Sequence, residues 1–182
     1  MKKKEVELPL SLLAEKGVWR QMLEDFKKQC PNGSAPISEV LSNLQKPAST
    51  SYKYVGLAIW IIKNFPPTQE PLVLNEPTRK VIFWNGDVTI NCDIDGKYLV
   101  VVNGKLKIKG KVKLIDNTRI WAKIVKAKIL ELYYTSVVIE AKKEVKAINI
   151  VLYDFAEIWA RGKVEAPNIA TNDLSGIYDK VN

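Results

Sequence analysis

The sequence contains no histidine, only two cysteines and two methionines, and no long unbroken apolar run. Each scarcity excludes a class of protein. Without histidine there is no Ser-His-Asp or Cys-His nucleophile pair, no imidazole general base and no imidazole ligand for zinc. Cys30 and Cys92 lie in different segments with no CxxC pair, so two buried thiols are expected rather than a disulfide or a metal clip. The most apolar run, Val55 to Ile62, is closed by Lys63 and by Pro66-Pro67, far short of the ~20 residues a membrane helix needs. Lys2-Lys3-Lys4 opens the chain, but charged and apolar residues alternate behind it, without the apolar core and small-residue cleavage site of a signal peptide. The expectation is a cytoplasmic protein with no membrane partner.

What is present is enough to fold. With 182 residues, 47% of them apolar, the chain can bury a core. Its net charge of +8 is unevenly spread: Lys97 to Lys128 holds ten Lys and Arg against the single acid Asp116, a local net of +9, and the remainder is close to neutral.

Residues 1–67 read as an α-helical head. Leu8, Leu12, Leu13, Trp19, Met22, Leu23 and Phe26 recur at spacings of three, four and seven, which predicts an amphipathic helix interrupted near Gly17. Cys30-Pro31-Asn32-Gly33 breaks it. Ser38 and Glu39 open a second, short helix that Pro47 ends, and Tyr52 to Phe65 reads as a third, apolar over most of its circumference. Pro66-Pro67, Pro71 and Pro77 then predict an extended linker over 68–80. The head, through Trp19, Phe26, Cys30-Pro31-Asn32-Gly33, Leu41, Trp60 and Phe65, resembles the helical heads that precede repeat arrays in some phage and mobile-element proteins. That likeness implies a setting, host cytoplasm included, and no activity.

Residues 81–182 repeat. Ile120-Trp-Ala-Lys, Ile139-Glu-Ala-Lys and Ile158-Trp-Ala-Arg stand 19 residues apart, and Val125-Lys-Ala127, Val145-Lys-Ala147 and Val164-Glu-Ala166 repeat at 20 and 19. Leu106-Lys-Ile108 holds the same place one repeat earlier, and Asn85-Gly86 and Asn103-Gly104 extend the pattern at 18. So short a period, built from alternating V/I-x-A, does not fit a helix pair; it fits strands whose apolar face is hidden only by stacking on neighbouring repeats. Gly86, Gly104, Gly110, Gly162 and Gly176 are expected at corners. The fold class expected is α+β, a small helical head followed by a single-stranded β-solenoid of about five coils. The V-x-A steps resemble hexapeptide-repeat and bactofilin-type β-solenoids, although the irregular beat fixes neither handedness nor cross-section.

No catalytic motif accompanies the repeat. Hexapeptide-type acyltransferases use a histidine base, which this chain lacks, and GxSxG, Walker and GxGxxG loops are missing. Asn91-Cys-Asp93-Ile-Asp95-Gly96 imitates the opening of a calcium loop, yet Val102 stands where a bidentate Glu is needed. Asp93, Asp95 and Lys97 are the one cluster a solenoid lyase would use, and a polar corner is the simpler reading. The expectation is a non-enzyme without cofactor or metal.

The surface offers more. If Ile120, Ala122 and their equivalents point inward, Lys123, Lys142 and Arg161 stack outward at a spacing of about 4.8 Å, and Lys107, Lys126 and Lys146 form a second ladder broken at Glu165. With Lys105 these are candidate polyanion-binding residues for nucleic acid, against the simpler reading of lysines that keep a sheet from edge pairing. Trp121 and Trp159 share one outward position and are candidate partner-binding residues, for base stacking or a protein partner, against the simpler reading of packing over a corner or against the head, and Tyr133, Tyr134, Tyr153 and Phe155 fall in one later segment of successive coils. Ile177 repeats the place of Ile158, so Ile177 and Tyr178 continue the stack without sealing it and invite a second copy or another protein at the C-terminal coil. The leading expectation is an interaction or scaffold protein that self-associates or docks through the solenoid; the alternative is polyanion binding.

Overall fold

The computed structural model describes residues 6–17, 20–45, 52–76, 80–134, 136–172 and 174–179. Trp19, Pro47 and Pro77, and the side chain of Met22, lie outside the described residues. The chain divides into two compact units, residues 1–66 and 67–182.

In the first unit, β1 (Glu7–Pro9) pairs antiparallel with β2 (Ser34–Pro36), and α1 (Leu10–Glu15), α2 (Arg20–Gln29), α3 (Ile37–Leu44) and α4 (Tyr52–Asn64) complete it. The expected helix from Leu8 is thereby corrected. Leu8 precedes a proline, whose ring disfavours the helical conformation in the residue before it, and it sits instead opposite Ala35 in the strand pair. Helix α1 starts only after Pro9 and ends before Gly17, whose φ of 70° is the left-handed turn that stops it. Helix α3 likewise starts at Ile37, directly after Pro36. Its Ile37, Val40, Leu41 and Leu44 are buried with Leu8, Leu13 and Phe26. In α4, Tyr54, Val55, Ala58, Ile61 and Ile62 mark one buried face at helical spacing.

The second unit is a parallel β-solenoid of about five coils, each contributing strands to three stacks. The first stack holds β4 (Val81–Trp84), β7 (Leu99–Val102), the first halves of β10 (Arg119–Lys126) and β12 (Val138–Lys146), β14 (Glu157–Ala160) and β17 (Gly176–Asp179). The second holds β3 (Leu72–Leu74), β5 (Val88–Ile90), β8 (Lys105–Ile108), the second halves of β10 and β12, and β15 (Lys163–Glu165). The third holds β6 (Ile94–Gly96), β9 (Lys111–Ile115), β11 (Ile129–Tyr133), β13 (Asn149–Leu152) and β16 (Asn168–Thr171). The array reaches into the stretch expected as linker, because β3 already pairs in register with β5.

Alternation does the burying. Ile82, Val100, Ile120, Ile139, Ile158 and Ile177 form one inward row, and Val88, Leu106, Val125, Val145 and Val164 another. Ile120, Leu106, Val125, Ile139, Val145 and Ile158 are wholly buried. The small side chains of Ala122, Ala141 and Ala160 stack just before the corner, a place held by Trp84 and Val102 in the earlier coils.

Candidate interaction surfaces on the solenoid

The corner between the first and second stacks changes along the array. It is Asn85-Gly86-Asp87 in the first coil, Asn103-Gly104 in the second, Lys123 alone in the third, Lys142-Lys143 in the fourth and Arg161-Gly162 in the fifth. Early corners are held by polar bonds from coil to coil. Asn103 Nδ2 donates to Asn85 Oδ1 at 2.7 Å, both side chains buried. Asp87 Oδ1 accepts the Lys105 backbone N–H at 2.8 Å, and Asp93 Oδ1 accepts that of Lys111 at 2.6 Å. In both cases a glycine makes room: a Cβ on Gly104 would land on Asp87 Oδ1, and one on Gly110 on Asp93 Oδ1. Gly86, Gly104, Gly110 and Gly162 sit at corners, and Gly176 opens a strand.

These bonds place the residues once weighed as a lyase cluster. Asp93 is engaged with the backbone of the next coil, Asp95 stands opposite Lys113, and Lys97 is 3.8 Å from Asp116. Among the described residues no three Cys, Asp or Glu side chains converge as a metal site requires.

The two lysine ladders differ in regularity. Lys107, Lys126 and Lys146 are in strict register and end against Glu165, which accepts from Lys146 at 2.9 Å. The Lys123, Lys142, Arg161 row is not strict. Register shifts after Ala122, where one residue in the third coil faces two in the fourth, so Lys123 stands against both Lys142 and Lys143. Burial and then those two lysines push the half-buried Lys123 ammonium below its ordinary pKa.

Pairing separates the cations further. Lys111 meets Glu131 at 2.8 Å, Arg119 meets Glu140 at 3.8 Å, Lys126 meets Glu144 at 4.0 Å, and Lys163 meets Glu165. Among the described residues Lys105, Lys123, Lys142, Lys143 and Arg161 form no ion pair. Lys105, Lys123 and Lys143 line one open groove of about 500 Å³ together with Asp87, Asn103, Ile124 and the backbone stretch around Pro67, Thr68 and Pro71.

The aromatic residues form coil-to-coil stacks. Outward positions of the first stack run Trp121, Glu140, Trp159, Tyr178 in register. Trp121 is 4% exposed, Trp159 donates through Nε1 to Glu157 at 2.8 Å and lies on Tyr178 at 4.3 Å, and Ile177 is half-buried against the core. Tyr133 stacks on Tyr153 at 4.5 Å with ring planes 10° apart, and Lys113 Nζ is 5.5 Å from the Tyr133 ring. Burial and then the bond to Glu131 push the Tyr133 hydroxyl up to about 12.

Solvent-reached apolar side chains gather late in the array. Leu174 (59%), Ile148 (55%), Tyr134 (54%), Phe155 (51%) and Ile169 (48%) all follow residue 133, and no large apolar side chain of the described residues between 80 and 133 is comparably exposed. Residues 134–179 carry seven acids against five bases, a net of −2, beside the +9 of residues 97–128.

Sequence reading found the ladders and the aromatic rows. It missed the Asp–Gly corner bonds, Lys143, and the asparagine pairs Asn75–Asn91 (2.7 Å) and Asn149–Asn168 (2.8 Å). The usable signal was there: an Asp 17 or 18 residues before Gly-Lys occurs twice, and Asn149 and Asn168 differ by the coil period. Cys30 and Cys92 are free and half-buried rather than wholly buried, with Cys30 Sγ 3.7 Å from Glu39. No described helix is long and apolar enough to cross a membrane. Compared with known proteins, the chain matches no family model, no curated protein and no solved structure.

Proposed function

We propose that this protein is a non-enzymatic interaction scaffold that self-associates through the outer surface of its fourth and fifth coils. The observation that carries the reading is the exposure of Ile148, Phe155 and Leu174 there, on an array whose earlier described residues comparably expose only Val73. Such patches on a folded surface mark places where another protein removes them from water.

Charge supports a second copy as the partner. The −2 of residues 134–179 complements the +9 of residues 97–128, so late coils of one copy attract early coils of another. A relation to hexapeptide-repeat or bactofilin-type arrays, a phage or mobile-element setting and a cytoplasmic location belong to the same proposal, resting on the V-x-A coils and the helical head.

Light scattering behind a sizing column tests it. A defined dimer or larger oligomer in both low and high salt, reduced to monomer by Ile148→Lys with Phe155→Lys, is the expected result. A 20.6 kDa monomer in both conditions overturns self-association, and an oligomer indifferent to those substitutions overturns the assigned surface.

A further inference from the structure

The groove of Lys105, Lys123 and Lys143 spans the corners of the second, third and fourth coils, and none of the exposed apolar side chains lines it. Its chemistry is unusual for this array. Lys97, Lys111, Lys126 and Lys146 on the same coils meet a carboxylate and Lys107, Lys109, Lys113 and Lys128 stand apart from the groove, whereas here three unpaired lysines line one space of about 500 Å³ with Asp87 as the one acid among its described lining residues. Asp87 is already committed through Oδ1 to the Lys105 backbone N–H.

The convergence is built by the backbone. The register shift after Ala122 sets Lys123 against Lys142-Lys143, and Gly104, which has no Cβ, lets the Asp87 side chain reach the next coil. The far wall is fixed as well: Thr68 N–H donates to Asn85 O at 2.5 Å, Leu72 N–H to Asp87 O at 2.9 Å, and Trp84 Nε1 to Glu70 O at 3.3 Å. Stacked like charges repel one another unless an anion lies between them.

We propose that this groove holds the phosphates of a single nucleic-acid strand, with Lys105, Lys123 and Lys143 as their partners. The row of unpaired cations continues beyond the groove through Lys142 to Arg161 on the next coil, further than one isolated phosphate requires and in the direction a strand would follow. No aromatic side chain lines the groove, so the backbone is held and the bases are not read. Burial first, and then repulsion from Lys142 and Lys143, lowers the basicity of Lys123, and a bound anion would offset that second contribution.

Fluorescence anisotropy with a labelled oligothymidylate is the test. Binding should weaken with salt along a log–log slope of about −2 where the three groove lysines neutralise three phosphates of a single strand and release their counterions, steepening to about −3.5 where Lys142 and Arg161 join them. Lys105→Glu with Lys143→Glu should weaken it about ten-fold or more at 0.15 M salt. Lys109→Glu with Lys128→Glu removes the same charge at a different corner and should cost less than about three-fold, because screening is nearly complete beyond about 8 Å. Equal losses from the two pairs, or no binding in low salt, overturn the site. Tripolyphosphate that competes as tightly as the strand binds overturns the strand as its ligand. Lys105→Gln with Lys143→Gln, checked by its melting curve, serves where the charge reversal prevents folding; a folded glutamine pair that binds like the parent overturns the site too.

Discussion

The second and third coils and the fourth and fifth share one interior and differ in almost everything outside it. Inside, Val100, Ile120, Ile139 and Ile158 continue a single row without regard to the boundary. Outside, the earlier coils are basic and their corners are closed by Asp87, Asp93 and the Asn85–Asn103 pair, while the later coils expose Ile148 and Phe155 and carry mixed charge. The difference shows where the constraint of stacking stops. A parallel coil constrains the side chains that must pack between its neighbours and leaves most outward positions free, Phe83, Val101 and Trp121 on the first stack excepted, so whatever distinguishes this protein's partners lies on the open outward rows.

The largest effect should come from testing the shared interior. Ile139 is wholly buried, and Ile139→Ala should cost about 3 kcal/mol in urea unfolding through lost transfer energy and the cavity left behind. Ile169 occupies an equivalent inward row in the third stack but is 48% exposed, so Ile169→Ala should stay within about 0.5 kcal/mol. Equal costs would show that Ile169 is covered in solution.

The corners give the next effect. Asp87→Ala and Asp93→Ala each remove a charged acceptor from a backbone N–H of the following coil and should each cost about 1–2 kcal/mol. Asp116→Ala, which loses only the exposed pair with Lys97, should cost less than about 1 kcal/mol. If Asp93 proved much cheaper than Asp87, the two corners would not be the same device.

Titration separates the outward rows more finely. Tyr133 keeps its proton up to about 12 against an ordinary 10, so the folded state prefers the neutral phenol. Stability present below pH 10 should fall as pH rises from 10 towards 12, and tyrosinate absorbance should show a late-ionising tyrosine that Glu131→Gln brings down, beside Tyr98, whose hydroxyl burial also raises. Glu165 behaves oppositely. Lys163 and Lys146 hold its carboxyl down to about 2 from 4.5, so the stability it adds is complete above pH 4.5 and is lost as pH falls towards 2. Glu165→Gln should flatten the melting temperature across that window by a small amount, since the group is exposed.

The coils were legible because stacking repeats the same inward residue at the same period, and a sequence preserves such a period directly. Ile120, Ile139 and Ile158 therefore revealed the array, and the outward place of Lys107, Lys126 and Lys146 followed from strand alternation alone. The start of the array was not legible, because Leu72–Leu74 sits among prolines and gains strand character from its pairing with Val88–Ile90. Leu8 was misread as helical by its spacing, although Pro9 behind it already opposed that conformation.

The amino-acid sequence by itself thus determined the solenoid, its approximate coil number, its inward rows and the absence of imidazole chemistry, all of which follow from composition and local periodicity. Only the tertiary structure decided which lysines are left without carboxylates, where the register slips beside Lys123, and that Trp121 is buried while Phe155 is exposed. Those properties depend on what the neighbouring coil places opposite each residue, and the slip appears in the repeat only as a spacing of 20 instead of 19 between Val125 and Val145, which does not say which side chains then face one another.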